Sequence, residues 1–125
     1  DELLAGRDRV AALYGAALAG IDGVEAYPAE RGRARRSWFV YPVRLPEGAD
    51  RDGIIARLGE RGIPAKAYLP CIHLMPHLRE LGYGEGDFPV AEGIAARSLA
   101  LPFHAGLDRA DVERVATALD RALPQ

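Results

Sequence analysis

Apolar residues recur at helical spacing over the first twenty positions. Leu3, Val10, Leu13, Tyr14, Ala17, Leu18 and Ile21 fall on one stripe. This predicts an amphipathic helix ended by Gly20 and Gly23. The pattern runs to the first residue without a clear cap, as expected of a cut through a longer helix leading in from another domain. Residues 26 to 36 are polar and arginine-rich and predict a loop. Trp38 to Leu45 is dense in aromatic and β-branched residues and reads as a strand. Pro42 removes one ladder donor from it, which favours an edge or a bulge.

Asp50 is placed to cap a helix carrying Ile54, Ile55 and Leu58 on one face, with Gly62 where a left-handed C-terminal residue belongs. A strand over Ile63 to Leu69 follows, then a short helical stretch from His73 to Leu81 and the turn Gly82-Tyr83-Gly84-Glu85-Gly86. Asp87 is the expected cap of the next helix, with Pro89 in its first turn and Val90, Ala91, Ile94 and Ala95 facing inward. Leu99 and Leu101 alternate with Ser98 and Ala100 as a last short strand. Asp108 then caps a final helix with Val112, Val115, Ala116 and Leu119 on its stripe. A few strands, antiparallel at least in part and covered on one face by helices, make a two-layer α+β domain.

Composition narrows this picture mainly by exclusion. The 125 residues fit a single domain, 1–125. A net charge of −2 is too small to argue for nucleic acid or membrane as a partner. No apolar run approaches the roughly 20 residues that span a bilayer, and Asp1-Glu2-Leu3-Leu4 lacks the order of a signal peptide. A cytoplasmic protein is expected. The lone cysteine, Cys71, has no internal disulfide partner, in keeping with a reducing compartment. The only methionine is Met75, so the chain is expected to be processed, trimmed or excised from something longer.

The reactive side chains gather in one place. Arg61 to His73 reads as helix stop, short strand and ordered loop, with His73 held between Pro70 and Pro76. Cys71, His73 and His77 invite a metal, since His73 and His77 sit at i, i+4. No glutamate follows His73 as in a zinc-protease helix, however, and Pro76 disturbs that turn. Cys71 reads more simply as a small hydrophobe beside a proline than as a nucleophile paired with His73. The glycine-rich turn follows no buried strand and lacks a lysine, so it does not form a phosphate loop. Arg31, Arg33, Arg35 and Arg36 offer guanidinium forks for a diphosphate, with a solvated loop as the plainer explanation.

Several separated motifs then agree in order: Trp38-Phe39-Val40-Tyr41 with Arg44-Leu45, Asp50-Arg51, Arg61-Gly62-Ile63, Tyr68-x-Pro70-x-x-His73-x-x-Pro76, Phe88-Pro89-Val90-Ala91-Glu92, and Leu99-x-Leu101-Pro102. Together they resemble the C-terminal small domain of the DegT/DnrJ/EryC1/StrS family of pyridoxal-phosphate-dependent sugar aminotransferases, a fold-type-I architecture. The resemblance implies that a large domain, absent from this chain, supplies the lysine that holds pyridoxal 5'-phosphate. It implies that a second subunit completes the site in a homodimer, and that the substrates are a nucleotide-diphosphate keto sugar and glutamate. His73 matches the family histidine of the loop near the sugar, with Tyr68 and Pro70 shaping that loop; Arg33 is the expected phosphate contact. Lys66, the only lysine, does not match the cofactor lysine, so this chain alone is expected to bind no cofactor and to be inactive. A different class of function stays open beside this one: a freestanding α+β binding or regulatory module derived from the same domain. An orphaned small domain should show an uncovered hydrophobic patch or self-associate, whereas an adapted module should be monodisperse.

Overall fold

The computed structural model describes residues 2–28, 30–31 and 33–124, with the side chains of residues 30, 31 and 35 left out. It is an α+β fold. In chain order the elements are α1 (Glu2–Leu18), β1 (Glu25–Ala26), β2 (Glu30–Arg31), β3 (Ala34–Arg35), β4 (Tyr41–Arg44), α2 (Arg51–Glu60), β5 (Lys66–Ala67), a 3-10 turn (Ile72–Leu74), α3 (Pro76–Arg79), α4 (Pro89–Arg97), β6 (Ser98–Leu101) and α5 (Arg109–Ala122). Four strands form an antiparallel sheet in the order β1-β4-β6-β5, and β2 and β3 make a separate small hairpin inside the predicted loop.

Register decides which residues face which layer, because residues paired directly across an antiparallel ladder share a face. Val43 pairs with Leu99 and Tyr41 with Leu101, and all four are buried. They meet Val10, Tyr14 and Leu18 of α1, Ile54 and Leu58 of α2, and Val112, Val115, Ala116 and Leu119 of α5 in one core. Tyr14 stacks on Tyr41 with ring centroids 4.7 Å apart, and its hydroxyl donates to the Pro102 carbonyl at 2.6 Å. The alternate row, Pro42 with Ala100 and Lys66, and Arg44 with Ser98, lies on the opposite face.

Local signals explain the well-predicted helices. Asp50 accepts from the Gly53 amide at 3.0 Å, and Asp108 and Asp111 form a reciprocal capping box at the start of α5. Gly62 takes the left-handed conformation, φ 71°, just past α2.

Five expectations are corrected. The strand at Trp38 shrinks to Tyr41–Arg44, because Trp38 adopts φ 45° and leaves the extended path; its ring turns inward to stack on Tyr41. Pro42 does not mark an edge, since β4 is internal. It is tolerated there because β1 pairs only Arg44 and Val43, so Pro42 lies past the end of that ladder. The predicted strand 63–69 pairs only at Lys66–Ala67, opposite the four-residue β6. The stretch from His73 is divided by Pro76 into a 3-10 turn and the single turn of α3. Asp87 does not cap α4: its carboxylate accepts from the Gly84 amide at 2.8 Å and closes the glycine turn instead.

Two apolar positions also differ. Leu3 is exposed, outside the packed stripe of α1, and α4 buries none of its residues. Val90, expected to face inward, is 76% exposed. The apolar side of α4 faces a groove rather than a core.

Candidate active-site groove

On the sheet face away from the core, Pro42 and Ser98 contribute to a groove of about 890 Å³. The segment Tyr68–His73 and the α4 residues Ala91, Ile94 and Ala95 line it too, together with Tyr27 and Arg36. Strand order fixes its direction. Tyr27 follows β1 at one edge of the sheet, and Tyr68 follows β5 at the other, so the groove crosses the sheet. Three strand spacings of roughly 4.8 Å put these edges about 14 Å apart. The volume and mostly apolar lining suit a small molecule.

His73, 8% exposed, is a buried polar residue of this wall, as is Ser98. Its Nε2 donates to Glu92 Oε1 at 2.9 Å, and its ring packs against Phe88 with centroids 4.8 Å apart. Glu92 also accepts from the Gly86 amide at 3.0 Å and the Phe88 amide at 3.2 Å. Three donors on one carboxylate hold the glycine turn, the start of α4 and the histidine together. The Gly86 and Phe88 amides, with His73, keep the Glu92 carboxyl below the usual glutamate range against an opposing effect of burial. A carboxylate near a helix N-terminus is favoured there in any case. Glu92 had been legible only as part of a motif; its role as the partner of His73 carried no spacing signal, because 19 residues separate them.

The structure brings three of the four expected contact residues together. Tyr68, Pro70 and His73 all line the groove, as does Cys71. Arg33 does not line it and lies exposed in the turn between β2 and β3. The Arg31 and Arg35 side chains fall outside the described residues. His77 is exposed, and among the described residues no three His, Cys, Asp or Glu side chains converge to hold a metal ion. Lys66 is exposed on the edge strand and is not part of the groove lining. A lysine that carries pyridoxal phosphate has to be held against the ring and partly desolvated, so the residues of this chain do not fit that role.

No helix among the described residues is long and apolar enough to cross a membrane. The DegT/DnrJ/EryC1/StrS aminotransferase family profile matches residues 1–120. Over 125 residues the sequence is 37% identical to GDP-perosamine synthase of Caulobacter vibrioides, covering 98% of this chain and 33% of that protein. It is 32% identical to dTDP-3-amino-3,4,6-trideoxy-alpha-D-glucose transaminase of Streptomyces venezuelae, covering 90% of this chain and 29% of the transaminase. The fold superposes on the crystal structure of S. venezuelae DesV in complex with a ketimine intermediate with a TM-score of 0.83 and 30% identity, over 95% of this chain and 31% of DesV. The chain thus spans about a third of the length of the relatives it matches. With both sequence and fold matching over nearly all of its length, the chain belongs to the DegT/DnrJ/EryC1/StrS aminotransferase family.

Proposed function

We propose that this chain is the C-terminal domain of a longer sugar aminotransferase that moves an amino group from glutamate to a nucleotide-linked keto sugar. The observation that carries this is the pairing of 98% coverage here with 33% coverage of a GDP-perosamine synthase. In the intact, cytoplasmic homodimer, pyridoxal phosphate bound outside this chain supplies the amino-group carrier. The groove supplies orientation and cover. His73, fixed by Glu92, presents its remaining ring nitrogen to a sugar hydroxyl, while Tyr68 and Pro70 shape the wall beside it.

The apolar rim supports this reading over a freestanding module. Leu69 and Ile72 in the groove lining are each more than 60% exposed, and Tyr83, Phe88 and Ile94 beside them are exposed as well. Monomeric proteins rarely leave such a patch bare, and an adapted module would have replaced it. The rim fits a surface closed by the rest of a larger enzyme.

The test is the full-length enzyme with pyridoxal phosphate, glutamate and nucleotide-linked 4-keto sugars. His73→Ala should raise KM for the sugar about tenfold, the worth of one buried hydrogen bond, with the cofactor absorption unchanged. An unaltered KM would remove His73 from the substrate site. A reading frame with no lysine-bearing α/β domain beside this one would remove the aminotransferase assignment.

A further inference from the structure

Among the described side chains of the arginine-rich segment, Arg36 is the one that reaches the groove. It lines the main groove and also a second one of about 560 Å³ between α1 and the segment around Trp38, so it stands where the two meet. Its Nε donates to the Pro28 carbonyl at 3.2 Å. The guanidinium carbon sits 5.1 Å from the Trp38 ring centroid and 5.8 Å from that of Tyr27. Trp38 itself is buried, so the cation rests on a fixed platform. One nitrogen is thereby committed to the backbone, and the guanidinium rests against two rings. Among the described residues Nη1 and Nη2 make no hydrogen bond or ion pair, and they form the pair of parallel donors that suits a phosphate.

The rest of the groove strengthens the assignment. Among the described residues no carboxylate lines it; Asp8 belongs to the second groove, and Glu92 is bonded to His73. Among the described residues, Arg36 is the one lysine or arginine side chain in the lining. An anion there meets one preorganised cation and no like charge. Arg36 lies toward the β1 edge and His73 toward the β5 edge, so a ligand with an anionic end and a hydroxylated end has one orientation across the sheet.

We propose that Arg36 is the anion-binding residue of the groove and takes the diphosphate of the nucleotide-linked substrate. This rests on the sugar aminotransferase reading for the identity of the ligand. The phosphate chemistry itself does not depend on it.

The experiment is an NMR titration of the 125-residue chain with inorganic pyrophosphate, read at the Trp38 indole N–H and the Arg36 Nε–H. Saturable shifts at both are expected, weakened about tenfold by Arg36→Gln, the scale of one charge-assisted pair of hydrogen bonds. Arg36→Lys keeps the cation over the rings and loses the fork, so it should fall between the two. Native dispersion of the core resonances in Arg36→Lys guards against a folding artefact. Equal weakening by Arg33→Gln, or linear shifts without saturation, would mean diffuse attraction to the arginine-rich segment and overturn the proposal. Inorganic phosphate titrated in parallel separates the two phosphate sources: binding as tight as pyrophosphate would overturn the diphosphate assignment in favour of a phosphomonoester. Because the probe carries neither sugar nor cofactor, failure here leaves the His73 test intact, and failure of the His73 test leaves this one intact.

Discussion

The two faces of one four-stranded sheet have opposite fates. On one, Tyr41, Val43, Leu99 and Leu101 vanish under α1, α2 and α5. On the other, Pro42 and Ser98 face a groove whose lining carries exposed Leu69, Ile72, Tyr83 and Phe88. Apolar character alone does not separate the two sides, since the groove lining is mostly apolar too. What separates them is whether this chain supplies the covering layer. The core face is finished by three helices of the same chain; the groove face is lined by α4, the loop 68–73 and single side chains such as Tyr27, Arg36 and Tyr83, which leave it open.

The contrast predicts that a methyl group matters on one face and not on the other. Leu99→Ala, at a fully buried site between the sheet and its helices, should cost about 2–5 kcal/mol in urea denaturation. A cost below 1 kcal/mol would show that the core face is not closed as described.

Alkali should attack the same face next. Burial raises the Tyr41 hydroxyl to about 12, and burial together with the nearby Tyr41 raises Tyr14 as well. A raised folded value means that this stability is complete below pH 10, the ordinary tyrosine value, and is lost as pH climbs through 10 toward 12. The loss should be about 1 kcal/mol for each of the two groups between pH 9 and 11, and about 2–3 kcal/mol for both, at up to about 1.4 kcal/mol per unit for each such group. Tyr41→Phe removes one titrating hydroxyl and should flatten the slope; an unchanged slope would place the titration elsewhere.

How far the sequence foretold each face follows from the same contrast. The core face was legible because its signals are local and periodic: the stripe of α5, the caps Asp50 and Asp108, and the alternation at Leu99 and Leu101. The groove face was misread where periodicity was taken as burial. Val90 and Ile94 have the spacing of an inward stripe, and spacing states that a face is apolar, not what covers it. The site was legible as a loop, through Tyr68, Pro70 and His73. Its supports were not, because the bond from His73 to Glu92 and the platform of Tyr27 and Trp38 beneath Arg36 depend on the fold bringing distant segments together.

A third prediction concerns the groove wall itself. Glu92→Ala removes the acceptor shared by His73 and the Gly86 and Phe88 amides, so hydrogen exchange at those two amides should speed about tenfold while the α5 amides keep their protection. Acid should do the same to the native chain. A depressed carboxyl value means that the ordering is present above the usual glutamate range and is lost as pH falls through the folded value. Equal loss at α5 would indicate global unfolding and sink the idea of a locally held wall.

The smallest effect is the sharpest check on the comparison. Val90→Ser places a hydroxyl at a position 76% exposed on α4, where the side chain gives the isolated chain little to lose. Stability should change by no more than about 0.5 kcal/mol, as for other surface substitutions away from caps and networks. The same change at Val43, paired with Leu99 and fully buried, removes apolar area and leaves a hydroxyl without water, so it belongs with the core losses. The two substitutions are chemically identical, on opposite faces of the molecule. If both cost several kcal/mol, α4 packs as a core helix and the groove is closed in solution; if only Val43→Ser does, the open face is a property of the chain.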